Sequence, residues 1–230
     1  MQMSGARIAV GIIGASGFTG AELLRLAAQH PNFDIRVATG DSMSGRRAAD
    51  LYPSLEVAYP DLVFSEFDPR DMAGLDLVFL GLPHRASMDL APSLVGHVGC
   101  VVDLSAAFRL KDPAAYPAFY GFEHTQLELL AEAVFGLPEL HRNDLTGARL
   151  VATPGCHVTA ATLAVRPLVE AGLIETTGVV VNTLTGITGA GRAPTDTNVF
   201  TNIDSNAVAY GLLSHRHTPE MEEQIGAQLI

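Results

Sequence analysis

The run Arg7-Ile8-Ala9-Val10-Gly11-Ile12-Ile13-Gly14-Ala15-Ser16-Gly17-Phe18-Thr19-Gly20-Ala21-Glu22-Leu23-Leu24 decides the fold. An apolar stretch from Arg7 to Ile13 enters three glycines, Gly14, Gly17 and Gly20, and continues into apolar residues at helical spacing. A strand, a glycine turn and a helix in that order let a pyrophosphate approach the backbone where the first helical N–H groups lack partners. The spacing is G-x-x-G-x-x-G, not the commoner G-x-G-x-x-G, so the turn alone also fits close packing of strand on helix. Its place between a strand and a helix at the start of the chain favours the phosphate-binding reading.

Outward from this turn, strands and helices alternate. Strands are expected at Asp34 to Thr39, Leu75 to Leu80, Cys100 to Leu104, Leu150 to Ala152 and Gly178 to Thr183. Helices are expected at Gly20 to His30, Ala86 to Leu94, from Cys156 through Leu168, and from Thr218-Pro219, where proline suits the first helical position. Residues 105 to 149 are mixed, broken by Pro113, Pro117 and Pro138. This pattern predicts an α/β protein with an open, mainly parallel, Rossmann-like sheet over 1–152 and a second α/β unit over 153–230.

Composition narrows the class. The 230 residues are 48% apolar and 17% charged, which is globular and not disordered. A net charge of −11 argues against a nucleic-acid binder or a polybasic membrane-surface protein. No apolar run approaches the ~20 residues needed to span a bilayer, and no signal peptide is evident. Two cysteines, Cys100 and Cys156, make neither a disulfide framework nor a zinc site, so a reducing, cytoplasmic setting is expected.

Chemistry is expected at Thr153-Pro154-Gly155-Cys156-His157. There a short apolar strand turns tightly into a helix, placing a thiol where free N–H groups and the helix dipole favour an anion, hence a nucleophilic thiolate. The competing reading is a buried structural cysteine. Cys100, inside an apolar strand, fits that inert role better. The carboxyl ends of strands, where ligands bind in such sheets, carry Leu82-Pro83-His84, Ser105 to Arg109, and the loop Gly186-Ile187-Thr188-Gly189-Ala190-Gly191-Arg192. Arg109 is a candidate for gripping an anion, with a surface ion pair as the alternative. His84 reads more readily as structural. In Ser214-His215-Arg216-His217-Thr218-Pro219-Glu220, alternation puts His215 and His217 on one side, able to exchange a proton with a nearby thiol. A metal held by the pair lacks a third ligand at a diagnostic spacing.

With these motifs in order, the chain resembles N-acetyl-gamma-glutamyl-phosphate reductases of arginine biosynthesis. The resemblance rests on Gly14 to Gly20, Gly81-Leu82-Pro83-His84, Asp103 to Leu110, Gly136-Leu137-Pro138-Glu139-Leu140, Pro154-Gly155-Cys156, Gly186 to Arg192 and His215 to Glu220. It implies Cys156 as nucleophile and His217 as acid/base, with Arg109, His215 and Glu220 at the substrate. It implies NADP on Gly14, Ala15, Ser16, Gly17, Phe18, Thr19 and Gly20, with Ser42, Arg46, Pro83, Ser105, Gly189 and Gly191 as further cofactor contacts. Arg46 or Arg47 would meet a ribose 2′-phosphate, while Asp41 pulls towards NAD. The implied reaction reduces a small acyl phosphate to an aldehyde through a cysteine thioester, in a homo-oligomer (dimer or tetramer), with no metal.

Three positions depart from the family: Ala107 replaces its usual Asp, Thr153 a frequent Asn, and His157 a frequent Tyr. Family chains also run beyond the helix begun at Pro219, so the second, semialdehyde-dehydrogenase-type catalytic and dimerisation domain is expected to be incomplete at Ile230. Aspartate-semialdehyde dehydrogenases share the chemistry, but their N-C-T motif differs from Pro154-Gly155-Cys156-His157. A reductase of a carrier-bound aminoadipyl phosphate and a non-catalytic nucleotide-binding remnant are the remaining alternatives.

Overall fold

The structure, a computed structural model, describes residues 6–230. It forms two compact units: the described residues up to Phe108 with Glu132–Thr153, and Arg109–Ala131 with Pro154–Ile230. The chain crosses between them at 108/109, 131/132 and 153/154, where a single boundary at 152/153 was expected. The stretch 109–131, expected with the first domain, groups with the second unit. Its prolines left no periodicity from which this could be read.

The first unit is built on six strands: β1 (Ile8–Ile13), β2 (Phe33–Ala38), β3 (Leu77–Leu80), β4 (Cys100–Asp103), β5 (Val134–Phe135) and β6 (Leu150–Ala152). All pair in parallel, in the order β2-β1-β3-β4-β6-β5. Only the two-residue β5 was not expected; it is too short to show a pattern. Val10, Ile12, Val78, Leu80, Val101, Leu150 and Ala152 are buried, so the strands read as nearly continuous apolar runs, as a sheet covered on both faces requires. The chain goes from β1 to β2 on one side, then returns to β3 on the other. That reversal places a switch point at the carboxyl ends of β1 and β3.

The glycine turn sits at this point. Gly81, just after β3, donates its N–H to the Ile13 carbonyl at 2.8 Å. Gly14 has φ +84°, and a Cβ there would lie 2.5 Å from the Gly81 oxygen. The helix Phe18–Ala27 buries Gly20, Leu24 and Ala27, one face at helical spacing. A Cβ on Gly20 would lie 2.4 Å from the Ala15 Cα, so this helix can meet the turn so closely only through glycine.

In the second unit the helix Cys156–Glu170 packs along the helix Thr218–Ile225. Val158, Ala161, Met221 and Ile225 are buried, and Arg166 Nη1 donates to the Gln224 carbonyl at 2.7 Å. The strand expected at Gly178 to Thr183 is not formed: only Val179 bridges, to Leu229. A strand exists through its neighbour's hydrogen bonds, and apolar, β-branched composition cannot supply them. The glycine-rich loop contains one 3₁₀ turn, Ile187–Ala190, and is exposed.

Candidate active site

In the first unit the glycine turn is tied to the ends of both neighbouring strands. Ala15 N–H donates to the Thr39 carbonyl at 2.7 Å, and Gly14 N–H to the Thr39 hydroxyl at 3.2 Å. The Ser16 hydroxyl donates to the Gly40 carbonyl at 3.0 Å, and the Tyr52 hydroxyl to the Ser16 carbonyl at 2.8 Å. The first helical bond runs from Ala21 N–H to the Gly17 carbonyl, so Phe18, Thr19 and Gly20 stand ahead of it. A rigid turn without side chains at its closest approaches, ending on helix N–H groups, fits a dinucleotide pyrophosphate.

The remaining first-unit candidates divide. Ser42 lies in an exposed 3₁₀ turn, Asp41–Met43, just past β2. Arg47 is engaged by Asp50 at 2.8 Å, by Glu56 at 3.7 Å and by the Pro60 carbonyl at 3.1 Å. Arg46 is exposed and has only a long contact to Met43 Sδ, at 3.8 Å, so it is the better placed of the two to meet a phosphate. Pro83 is exposed. Ser105 is buried, and its hydroxyl donates to Asp103 Oδ2 at 2.7 Å and accepts from Ala107 N–H at 3.0 Å. That side chain shapes the turn after β4. His84 Nδ1 accepts from Ala106 N–H at 3.0 Å.

The second unit holds Cys156 and the histidines. Gly155 is the N-cap of the helix Cys156–Glu170, so the exposed Cys156 occupies its first position. Cys100 is only part-exposed, and burial pushes its thiol pKa up. Gly155 lies hard against His217: a Cβ on it would be 2.6 Å from both Cε1 and Nε2, and 3.0 Å from Arg109 Nη1. His217 is 6% exposed. Burial, then the charge of Arg109, then His215 hold its pKa down to about 3. The ring is therefore held neutral near pH 7.

His215 and His217 stand together, ring centroids 4.8 Å apart. What aligns them is a turn rather than an extended segment: His217 N–H donates to His215 Nδ1 at 3.1 Å. Burial lowers the His215 pKa too. His157, which sequence reasoning noted only as a departure, joins them. Its Nδ1 is 2.6 Å from the Thr183 hydroxyl, its Nε2 2.8 Å from the Tyr210 hydroxyl, and its ring 5.1 Å from that of His215. Its position next to Cys156 was the available signal. Among the described residues no group of His, Cys, Asp and Glu is placed to hold a metal.

Arg109 is buried and pairs with Glu220 at 3.6 Å. Burial first, then the Glu220 charge, push the Tyr120 pKa up to about 12. Tyr120 lies in the proline-broken stretch and gave no sequence signal. Glu220, expected at the substrate, is fully buried, and its Oε1 accepts from Gly155 N–H at 3.0 Å. The carboxylate is turned inward to the backbone. Gly189 and Gly191 lie in the exposed loop of this unit.

A parallel sheet with a glycine turn at its switch point defines a dinucleotide-binding fold, and a second unit carries a helix-start cysteine on a turn packed against a neutral histidine. Residues 9–148 match the family model "Semialdehyde dehydrogenase, NAD binding domain", and residues 156–229 match "Semialdehyde dehydrogenase, dimerisation domain". The chain belongs to the semialdehyde dehydrogenase family. It is similar to N-acetyl-gamma-glutamyl-phosphate reductase of Symbiobacterium thermophilum, at 46% identity over 95% of this chain and 63% of that protein. The protein of the same name from Alkalilimnicola ehrlichii is 45% identical over the same shares. Among solved structures, aspartate semialdehyde dehydrogenase with NADP from Candida albicans superposes with a TM-score of 0.62 at 19% identity, over 89% of this chain and 56% of that one. The chain thus spans 63% of the length of these curated relatives.

Proposed function

We propose that the chain carries an NADPH-dependent reduction of N-acetyl-gamma-glutamyl phosphate to N-acetylglutamate semialdehyde and phosphate. The observation that carries this is Cys156 at the start of a 15-residue helix, on a turn packed against neutral, buried His217. His217 takes the thiol proton, and the Cys156 sulfur attacks the acyl carbon. The carbon–oxygen bond to phosphate breaks, phosphate leaves with the electron pair, and a thioester remains on Cys156. The helix N-terminus favours the anionic sulfur before attack. When bound, the nicotinamide dinucleotide supplies the hydride that reduces the thioester. His217 returns its proton to the resulting oxygen and regains it as the carbon–sulfur bond breaks, releasing aldehyde and the Cys156 thiolate. Arg109 serves as the cationic wall for a substrate anion.

Gly14 to Gly20 would hold the pyrophosphate, and the exposed Arg46 beyond β2 supports NADP over NAD. The substrate assignment rests on the relatives at 45–46% identity; the aspartate enzyme shares the fold. Self-association fits the dimerisation-domain match and the exposed Leu184, Phe200, Leu212 and Leu213. Phosphate-dependent NADP reduction with N-acetylglutamate semialdehyde tests the reading. Turnover lost in Cys156→Ala is expected; equal turnover with aspartate semialdehyde would overturn the substrate.

A further inference from the structure

We infer that Glu220 is a positioning residue and not a substrate contact: it ties the Pro154-Gly155-Cys156 turn to the helix that His217 begins, and sets the charge beside the thiol by pairing Arg109. This rests on the assignment of Cys156 and His217 above.

Glu220 has no exposed surface, so no substrate reaches it without unpacking the unit. Its two oxygens serve two partners. Oε1 accepts the N–H of Gly155, 65 residues away in sequence, at 3.0 Å. Oε2 lies 3.6 Å from Arg109 Nη1. Gly155 caps the helix of Cys156, and His217 caps the helix Thr218–Ile225, whose first turn contains Glu220. One carboxylate therefore links both helix starts, each of which favours a negative charge. It also balances Arg109, a cation close enough to Gly155 to be felt at the next residue. Burial pushes the Glu220 pKa up, while Arg109 and the Gly155 N–H oppose that, which is the arrangement a retained buried carboxylate needs.

The test is the rate at which iodoacetamide alkylates Cys156, followed by peptide mapping at about pH 7, where the thiolate is the reacting form. It needs neither dinucleotide nor turnover. Glu220→Gln keeps an oxygen for the Gly155 N–H but removes the charge that balances Arg109. Alkylation of Cys156 should rise about 3–10-fold, with an unfolding temperature near that of the wild type. Arg109→Met should move the rate the other way. Glu223→Gln removes an equal charge from the exposed side of the same helix and should leave the rate unchanged. Equal rates in wild type and Glu220→Gln, or the same rise in Glu223→Gln, would overturn the inference. A wild-type Cys156 that resists alkylation would overturn the nucleophile assignment itself, and the inference with it.

Discussion

Replacing Gly155 by Ala perturbs the site through one added carbon. The backbone there, φ −65° and ψ 154°, is ordinary for any residue, so no conformational strain enters. The whole effect comes from the Cβ, which would sit 2.6 Å from Cε1 and Nε2 of His217 and 3.0 Å from Arg109 Nη1. Unstrained contacts between such atoms fall at about 3.5–4.0 Å, so the imidazole or the turn must move by about 1 Å. His217 has little room to yield, because its ring is buried beside those of His157 and His215. Overpacking of this kind costs about 1–3 kcal/mol. A displacement of ~1 Å between reacting groups can lower a rate on the order of 10²-fold. Denaturant unfolding of the purified chain measures the first effect and phosphate-dependent turnover the second. A Gly155→Ala chain with wild-type stability and rate would refute the close packing of His217 on the turn.

Two further outcomes follow from the same cluster. His217→Ala should lower turnover by ~10²–10⁴-fold, the scale for losing a positioned acid/base, and His215→Ala by less; a larger loss at His215 would show the wrong imidazole was chosen. On acidification, His217 takes its proton in the unfolded chain near pH ~6.5 but in the folded chain only near about 3. Its contribution to stability is thus whole above about pH 6.5 and is lost as pH falls towards 3, by up to ~1.4 kcal/mol per unit. Glu220, with its pKa raised by burial, works against this loss. Unfolding followed between about pH 7 and 4 should therefore show a shallower loss in His217→Gln than in the wild type; equal slopes would contradict the buried, neutral imidazole.

The sheet was legible because its central strands are nearly continuous apolar runs and its first turn carries three glycines. Pairing was less so. Val134–Phe135 is a strand because β6 lies beside it, and Gly178 to Thr183 is not one because only Val179 finds a neighbour. Cys156 and His217 stood out through their local motifs. What holds them did not: Gly155 meets Arg109, Glu220 and His217 only through contacts distant in sequence. Glu220 was placed at the substrate by the family resemblance, and its burial against the Gly155 N–H and Arg109 depends on contacts that no local pattern carries.

The central claim is a covalent acyl group on Cys156. The chain incubated with N-acetyl-gamma-glutamyl phosphate, without dinucleotide, should release phosphate and gain the mass of one N-acetylglutamyl group. Peptide mapping should place that group on Cys156, and Cys156→Ala should abolish it. Phosphate release without an adduct, or an adduct on Cys100, would contradict the account.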